Sequence, residues 1–171
     1  MTVHTTYFGG LNATVSPADD ALVLGVVRYP KEFVHRVTDR NVPAVAPPDD
    51  LLDAFKTVKE AADRDGVTNP SGAAWRTVDF EDRYRSHLDG SGPRQVLTEL
   101  RDRVAHRDVW FVCWEKDPRY CHRRVLAEVL LEECDDRVVH HPAPADLEEF
   151  SDAQDGPDIA RLTEFSGGGT A

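Results

Sequence analysis

The chain has 171 residues and a formal net charge of -11, with 31 Asp and Glu against 20 Lys and Arg. This length suits one ordinary domain whose core needs no disulfide or metal to hold it. The acidic balance disfavours a duplex nucleic-acid binder that works by neutralising phosphates, and the apolar runs fall far short of a membrane span.

Lysine occurs only at Lys31, Lys56, Lys59 and Lys116, whereas Arg is common and Asp outnumbers Glu. That texture is similar to the lysine-poor surface of cytoplasmic proteins from halophilic archaea, and it also fits a plain acidic soluble protein. Either way it concerns solubility and salt, and the fold does not follow from it. The three cysteines are an odd number, and M-T-V-H-T-T lacks a basic segment followed by an apolar one. Reduced thiols and a cytoplasmic location are therefore expected.

Along the chain, Val3–Phe8 alternates like a strand and ends at Gly9-Gly10, a tight turn or close backbone approach. Ala21–Val27 is a continuous apolar run, the mark of a strand covered on both faces, and it leads to Arg28-Tyr29-Pro30. Lys31–Val37 suits a short helix, and Val42–Pro48 a proline-rich connection with room for a short strand. Asp49–Arg64 has helical spacing at Leu51, Leu52, Phe55, Val58 and Ala62, with Asp49 or Asp50 as its expected cap and Gly66 as its stop. Val67–Ala74 reads as a turn, Phe80–Leu88 as a helix, and Pro93–His106 as a helix with its proline in the first turn. Val109–Cys113 is a second buried strand, Cys121–Glu133 a helix, and Arg137–His140 a last strand. Strands alternating with helices predict a three-layer α/β/α fold with a largely parallel sheet. Residues 1–150 form its single domain; residues 151–171, ending S-G-G-G-T-A, are expected to be a mobile extension, with a helical turn or two at Asp158–Phe165.

The densest chemistry lies in V-C-W-E-K-D-P-R-Y-C-H-R-R, Val112 to Arg124. Ligands of open parallel sheets bind at the carboxyl ends of the strands. Cys113, Cys121 and Arg28 are all predicted there, and so are Tyr7 and Gly9. At about 100° per residue, His122 falls in the middle of the apolar arc of Val125, Leu126, Val129 and Leu130. Arg123 lies at its border. Arg124 points outward, four residues before Glu128, the spacing of an exposed ion pair. Cys121, in the first turn beside His122 and Arg123, sits where a thiolate or a bound anion is favoured. Glu115 is placed to orient His122 or an arginine, or to move protons.

These residues resemble the signature of the domain-of-unknown-function 488 family, in which a strand ends in Cys, a Glu follows, and Cys-His-Arg opens a helix. Here they are Cys113, Glu115, Cys121, His122 and Arg123. V-V-R-Y-P, Val26 to Pro30, is similar to the family's earlier strand motif, with Val26 where many members have Asp. Val42 to Lys56 and Tyr84 are similar to one branch, with Pro48 in place of its Ser. The resemblance implies an α/β fold with a shared site and names no reaction.

Two readings follow. In the first, an enzyme, a hydrolase or transferase, acts on a small phosphorylated or nucleotide-like anion. Cys121, His122 and Glu115 are catalytic, and Arg28, Arg123, Tyr7, Gly9, Trp114 and Tyr120 hold the substrate. In the second, the same pocket serves a non-catalytic ligand-binding or nucleic-acid-associated module. No cofactor is expected. A metal held by Cys113, Cys121 and His122 is disfavoured because no C-x2-C pair is present, and a Cys113–Cys121 redox pair stays open. Cys113 and Cys134 are read as core residues, Trp110 as packed under a helix, and His140 and His141 as surface residues. Oligomeric state is unreadable.

Overall fold

The computed structural model describes residues 1–132 and 136–147; Cys134 and the 151–171 extension lie outside them. Five strands, β1 (Thr2–Tyr7), β2 (Leu22–Gly25), β3 (Arg40–Asn41), β4 (Val109–Cys113) and β5 (Arg137–His140), form one sheet in the order β3-β2-β4-β1-β5. Every pairing is parallel. The helices are α1 (Val34–Val37), α2 (Asp49–Arg64), α3 (Pro70–Thr77), α4 (Phe80–Leu88), α5 (Ser91–Val104) and α6 (His122–Leu131), with short 3-10 turns at Pro43–Val45 and Pro118–Tyr120.

The order of strands decides where the helices go. The step from β2 to β3 through α1 runs one way along the sheet, whereas those from β3 to β4 through α2–α5 and from β4 to β5 through α6 run the other way. Because parallel crossovers are right-handed, α1 lies on one face and α2–α6 on the other. Gly25 confirms the first assignment, since a Cβ there would meet Val34 of α1 at 3.1 Å. The result is a three-layer α/β fold.

Register then sorts the side chains. Val3, Leu22, Leu24, Val109, Phe111 and Cys113 share the face toward α2–α6 and join its hydrophobic cluster. From α6 the fully buried Val125, Leu126 and Leu130 enter the same cluster, each stabilising the fold by about 1.5–3 kcal/mol. His4, Thr6, Trp110 and Val112 point the opposite way by alternation.

The expected helix at Asp49–Arg64, the helix at Phe80–Leu88 and the strands at Val109–Cys113 and Arg137–His140 are found as read. Other local expectations are corrected. Neither Asp49 nor Asp50 caps α2, whose N-cap is Pro48. Asp49 accepts from Tyr29 and Arg28 instead, and Asp50 from Arg83. The segment read as a turn at Val67–Ala74 starts α3. The side chain of Asn69 accepts from the backbone N–H of Gly72 at 2.8 Å, and Pro70 holds the first helical position, so N-P here is a helix start. Lys31–Val37 becomes helical only from Val34.

The far side of the sheet brings the larger surprise. The ring of Trp110 carries the imidazoles of His4 and His141, with centroids at 4.3 and 5.2 Å. The facing nitrogens of these imidazoles, His4 Nδ1 and His141 Nε2, are 3.2 Å apart. His140 is not a bare surface residue, because its Nδ1 lies 2.8 Å from the Thr5 hydroxyl.

Candidate functional site

β2 runs out through Val26 to Arg28, and β4 ends at Cys113. Their outgoing connections leave toward opposite faces, so a crevice opens between the two strand ends. A cavity of about 180 Å³ fills it. Its buried lining comprises Cys113, Cys121, His122, Pro47, Phe55 and Phe80, while Arg28, Tyr29, Trp114 and Glu115 line its more exposed part. Leu52 and Tyr120 complete the wall.

Three members of the buried lining, Cys113, Cys121 and His122, are polar. Cys121 is the N-cap of α6 and His122 its first residue. The Nε2 of His122 donates to the carbonyl of Val26 at 2.7 Å. A carbonyl only accepts, so in the neutral ring Nδ1 is left with its lone pair. Cys113 Sγ lies beside the ring, 3.7 Å from that Nδ1 and 3.9 Å from Nε2, and the ligand atoms of Cys113, Cys121 and His122 are all within 4.8 Å of one another. Tyr84 stands edge-on to the imidazole at 5.5 Å and anchors its own hydroxyl on the carbonyl of Val45 at 2.5 Å. The ring is thus fixed in place and in tautomer.

Arg123 is fully buried. One terminal nitrogen donates to the carbonyl of Glu115 and the other to that of Lys116 at 2.9 Å. The guanidinium therefore clips the connection that carries Trp114 and Glu115 onto the start of α6. It does not line the cavity, and its buried Nε has no hydrogen-bond partner among the described residues. Its charge still acts over the thiols. Burial pushes the Cys121 thiol up, but the Cys113 hydrogen bond, Arg123 and His122 outweigh burial and hold it well below the usual thiol range. Cys113, hydrogen-bonded to Cys121 and buried, is held well above it. One proton between two thiols, with the negative charge nearer the guanidinium, accounts for both directions.

The remaining expected contacts divide cleanly. Arg28, Trp114, Glu115, Tyr120, Cys121 and His122 meet at the cavity. Arg28 pairs with Asp49 at 3.3 Å and Glu115 with Lys59 at 3.5 Å. Trp114 packs on Phe8 and Phe33, with Lys31 Nζ 5.6 Å from its ring, and the hydroxyl of Tyr120 accepts from Asn69 at 3.0 Å. Tyr7 and Gly9 stand apart: a Cβ on Gly9 or Gly10 would strike the Tyr7 ring at 2.9 or 2.7 Å, so these glycines exist for a close approach to Tyr7. Tyr7 lines a separate depression with Lys116 and His140. Arg124 makes the expected pair with Glu128 at 2.7 Å and also reaches Glu81 at 2.6 Å.

Sequence reasoning took Cys113 as core filler; it faces the cavity as well. The signal was its parity. As the last residue of a buried strand, on the face that α6 covers, it had to meet whatever opened that helix. Leu52, Phe55, Phe80 and Tyr84 carried no such signal, because helical spacing marks them only as core.

The fold and site define a parallel α/β domain with a thiol and imidazole cluster at its strand ends. The chain belongs to the DUF488-N3a family, described as the active DUF488-N3 subclade, whose model matches residues 11–134. No curated protein and no solved structure matches the chain. The matched span carries β2 to β4 and α1 to α6, hence the whole cavity lining, and leaves β1 and β5 outside it.

Proposed function

We propose that the cavity is the active site of a hydrolase or transferase acting on a small anion with a flat apolar part, such as a nucleotide-like or phosphorylated molecule. The observation that carries this reading is the gradient within one cavity, from aromatic walls to a floor of Cys113, Cys121 and His122. A dry cavity of about 150 Å³ accepts one benzene-sized ring, so the enclosed space of about 180 Å³ suits a single ring between Phe55, Phe80 and Tyr120. The charged part then extends toward the exposed side, where Arg28 lies and where an adjoining groove shares Leu52, Phe55 and Glu115 and adds Lys59. Reacting atoms meet Cys121 and His122, and Glu115 on the wall serves proton transfer. The family description as an active subclade supports a catalytic over a purely binding role.

Calorimetric titration with nucleoside monophosphates and with sugar phosphates tests the reading. Binding is expected to weaken at least tenfold in Leu52→Trp, which fills the cavity, and about threefold to tenfold in Arg28→Ala, whose salt-bridging cation is removed. Affinity untouched by Leu52→Trp would place the ligand elsewhere and reject the cavity.

A further inference from the structure

We infer that Cys113, Cys121 and His122 are three ligands of a divalent metal site whose fourth position opens into the cavity, with zinc as the type of ion bound. The inference rests on the proposed active site and names what its floor holds.

Geometry carries it. Cys113 Sγ lies 3.7 Å from Nδ1 and 3.9 Å from Nε2 of His122, beside the ring rather than on the axis of the Nδ1 lone pair, so a rotation of the Cys113 side chain is what brings its sulfur to about 2.3 Å from an ion held about 2.1 Å from Nδ1. The ligand atoms of Cys113, Cys121 and His122 all lie within 4.8 Å of one another, so small rotations of the two cysteine side chains complete a trigonal face. The second shell is built as well. Metal-binding imidazoles donate their other N–H to a carbonyl or carboxylate, and His122 donates Nε2–H to Val26 at 2.7 Å. Tyr84 holds the same ring edge-on. Three protein ligands with an open fourth position form the pattern of a reactive zinc centre, whereas a structural site closes with four.

Charge points the same way. Two thiolates, the buried Arg123 guanidinium and a divalent ion sum to one positive charge, so the open position favours an anion or hydroxide. Binding releases the thiol protons to solvent. C-x2-C spacing is absent because the two sulfurs come from a strand end and the helix after it, brought together by the connection that Arg123 clips.

The test uses the full chain, kept reduced with a phosphine that does not ligate metal, and titrates it with zinc and with cobalt(II). One ion per chain is expected, with thiolate-to-cobalt charge-transfer absorption and tetrahedral ligand-field bands. Cys113→Ser and Cys121→Ser should each weaken binding at least tenfold, and so should His122→Gln, whose amide still offers Val26 an N–H. Circular dichroism confirms that each variant folds. No binding by the folded wild type, or binding without sulfur charge transfer, overturns the inference. So does binding that survives the cysteine substitutions and vanishes in His141→Phe, which would place the ion between His4 and His141. Nucleotide titration of chelator-treated protein, alongside the metal titration, separates the two proposals: a chain that binds nucleotide but takes up no metal sinks this inference and leaves the cavity reading intact.

Discussion

Two histidine clusters occupy opposite faces of one sheet, and their differences show how environment assigns a role to the same side chain. On the helical face, the N–H of His122 is committed to the Val26 carbonyl and its free nitrogen lies 3.7 Å from the Cys113 sulfur. On the other face, His4 and His141 turn their nitrogens on each other and lay their rings on Trp110. The first leaves a lone pair for chemistry; the second closes on itself. A buried polar ring is useful to a ligand only when its own hydrogen bonds leave one atom over.

The sharpest way to separate the clusters is to remove their largest members. Trp110→Ala deletes the platform under His4 and His141 and should cost about 3–5 kcal/mol in urea denaturation, while metal and nucleotide binding by the folded fraction stay unchanged. Loss of binding in the folded variant would show that the two faces are not independent. Arg123→Met is the counterpart on the helical face. It leaves the part-buried carbonyls of Glu115 and Lys116 without these donors, at about 0.5–1.5 kcal/mol each, and should both lower stability and weaken ligand binding by freeing the Trp114–Glu115 segment. A variant as stable as wild type would show that the clip is dispensable.

Acid should weaken the far-side cluster. Burial, and for His4 also the proximity of His141, lowers the pKa of His4 and His141 below 6.5, with Asp108 opposing it at His4. Burial and Arg123 lower His140 likewise. Unfolded histidines then bind protons first, so their contribution to stability is complete above 6.5 and is lost as pH falls through the lowered folded values. The urea midpoint should drop between about pH 7.5 and about pH 5, and drop less in His4→Phe. An equal drop in that variant would assign acid sensitivity to other groups. The smallest effect is expected at the cavity's exposed side, where Lys59→Ala breaks the pair with Glu115 and should change stability by no more than about 0.5 kcal/mol. A larger loss would mean that the pair holds the wall in place.

Legibility in the sequence followed the same division. Cys121, His122 and Arg123 are contiguous, and strand-then-helix logic alone places them at an edge of the sheet. The role of Arg123 was harder to read: its position on the helix gave the direction of the stem, but two unpaired carbonyls eight and seven residues earlier decided where the guanidinium went. Asn69-Pro70 reads equally as a turn or a helix start, and only the Gly72 N–H meeting the Asn69 side chain selects the second. The stack on Trp110 joins residues 4, 110 and 141, whose proximity no local pattern records.

What the sequence by itself determined is the set of elements and the chemistry at one junction: buried apolar runs that must become interior strands, helical spacings that must pack on them, and Cys-His-Arg at a helix start. Tertiary structure alone decided the strand order, and with it which strand ends are neighbours. That order set Val26 beside His122 and Cys113 beside Cys121. The physical reason is that local propensity acts through a few bonds, whereas the tautomer of an imidazole, the charge of a thiol and the contents of a cavity depend on groups that only the finished sheet brings within a few ångströms.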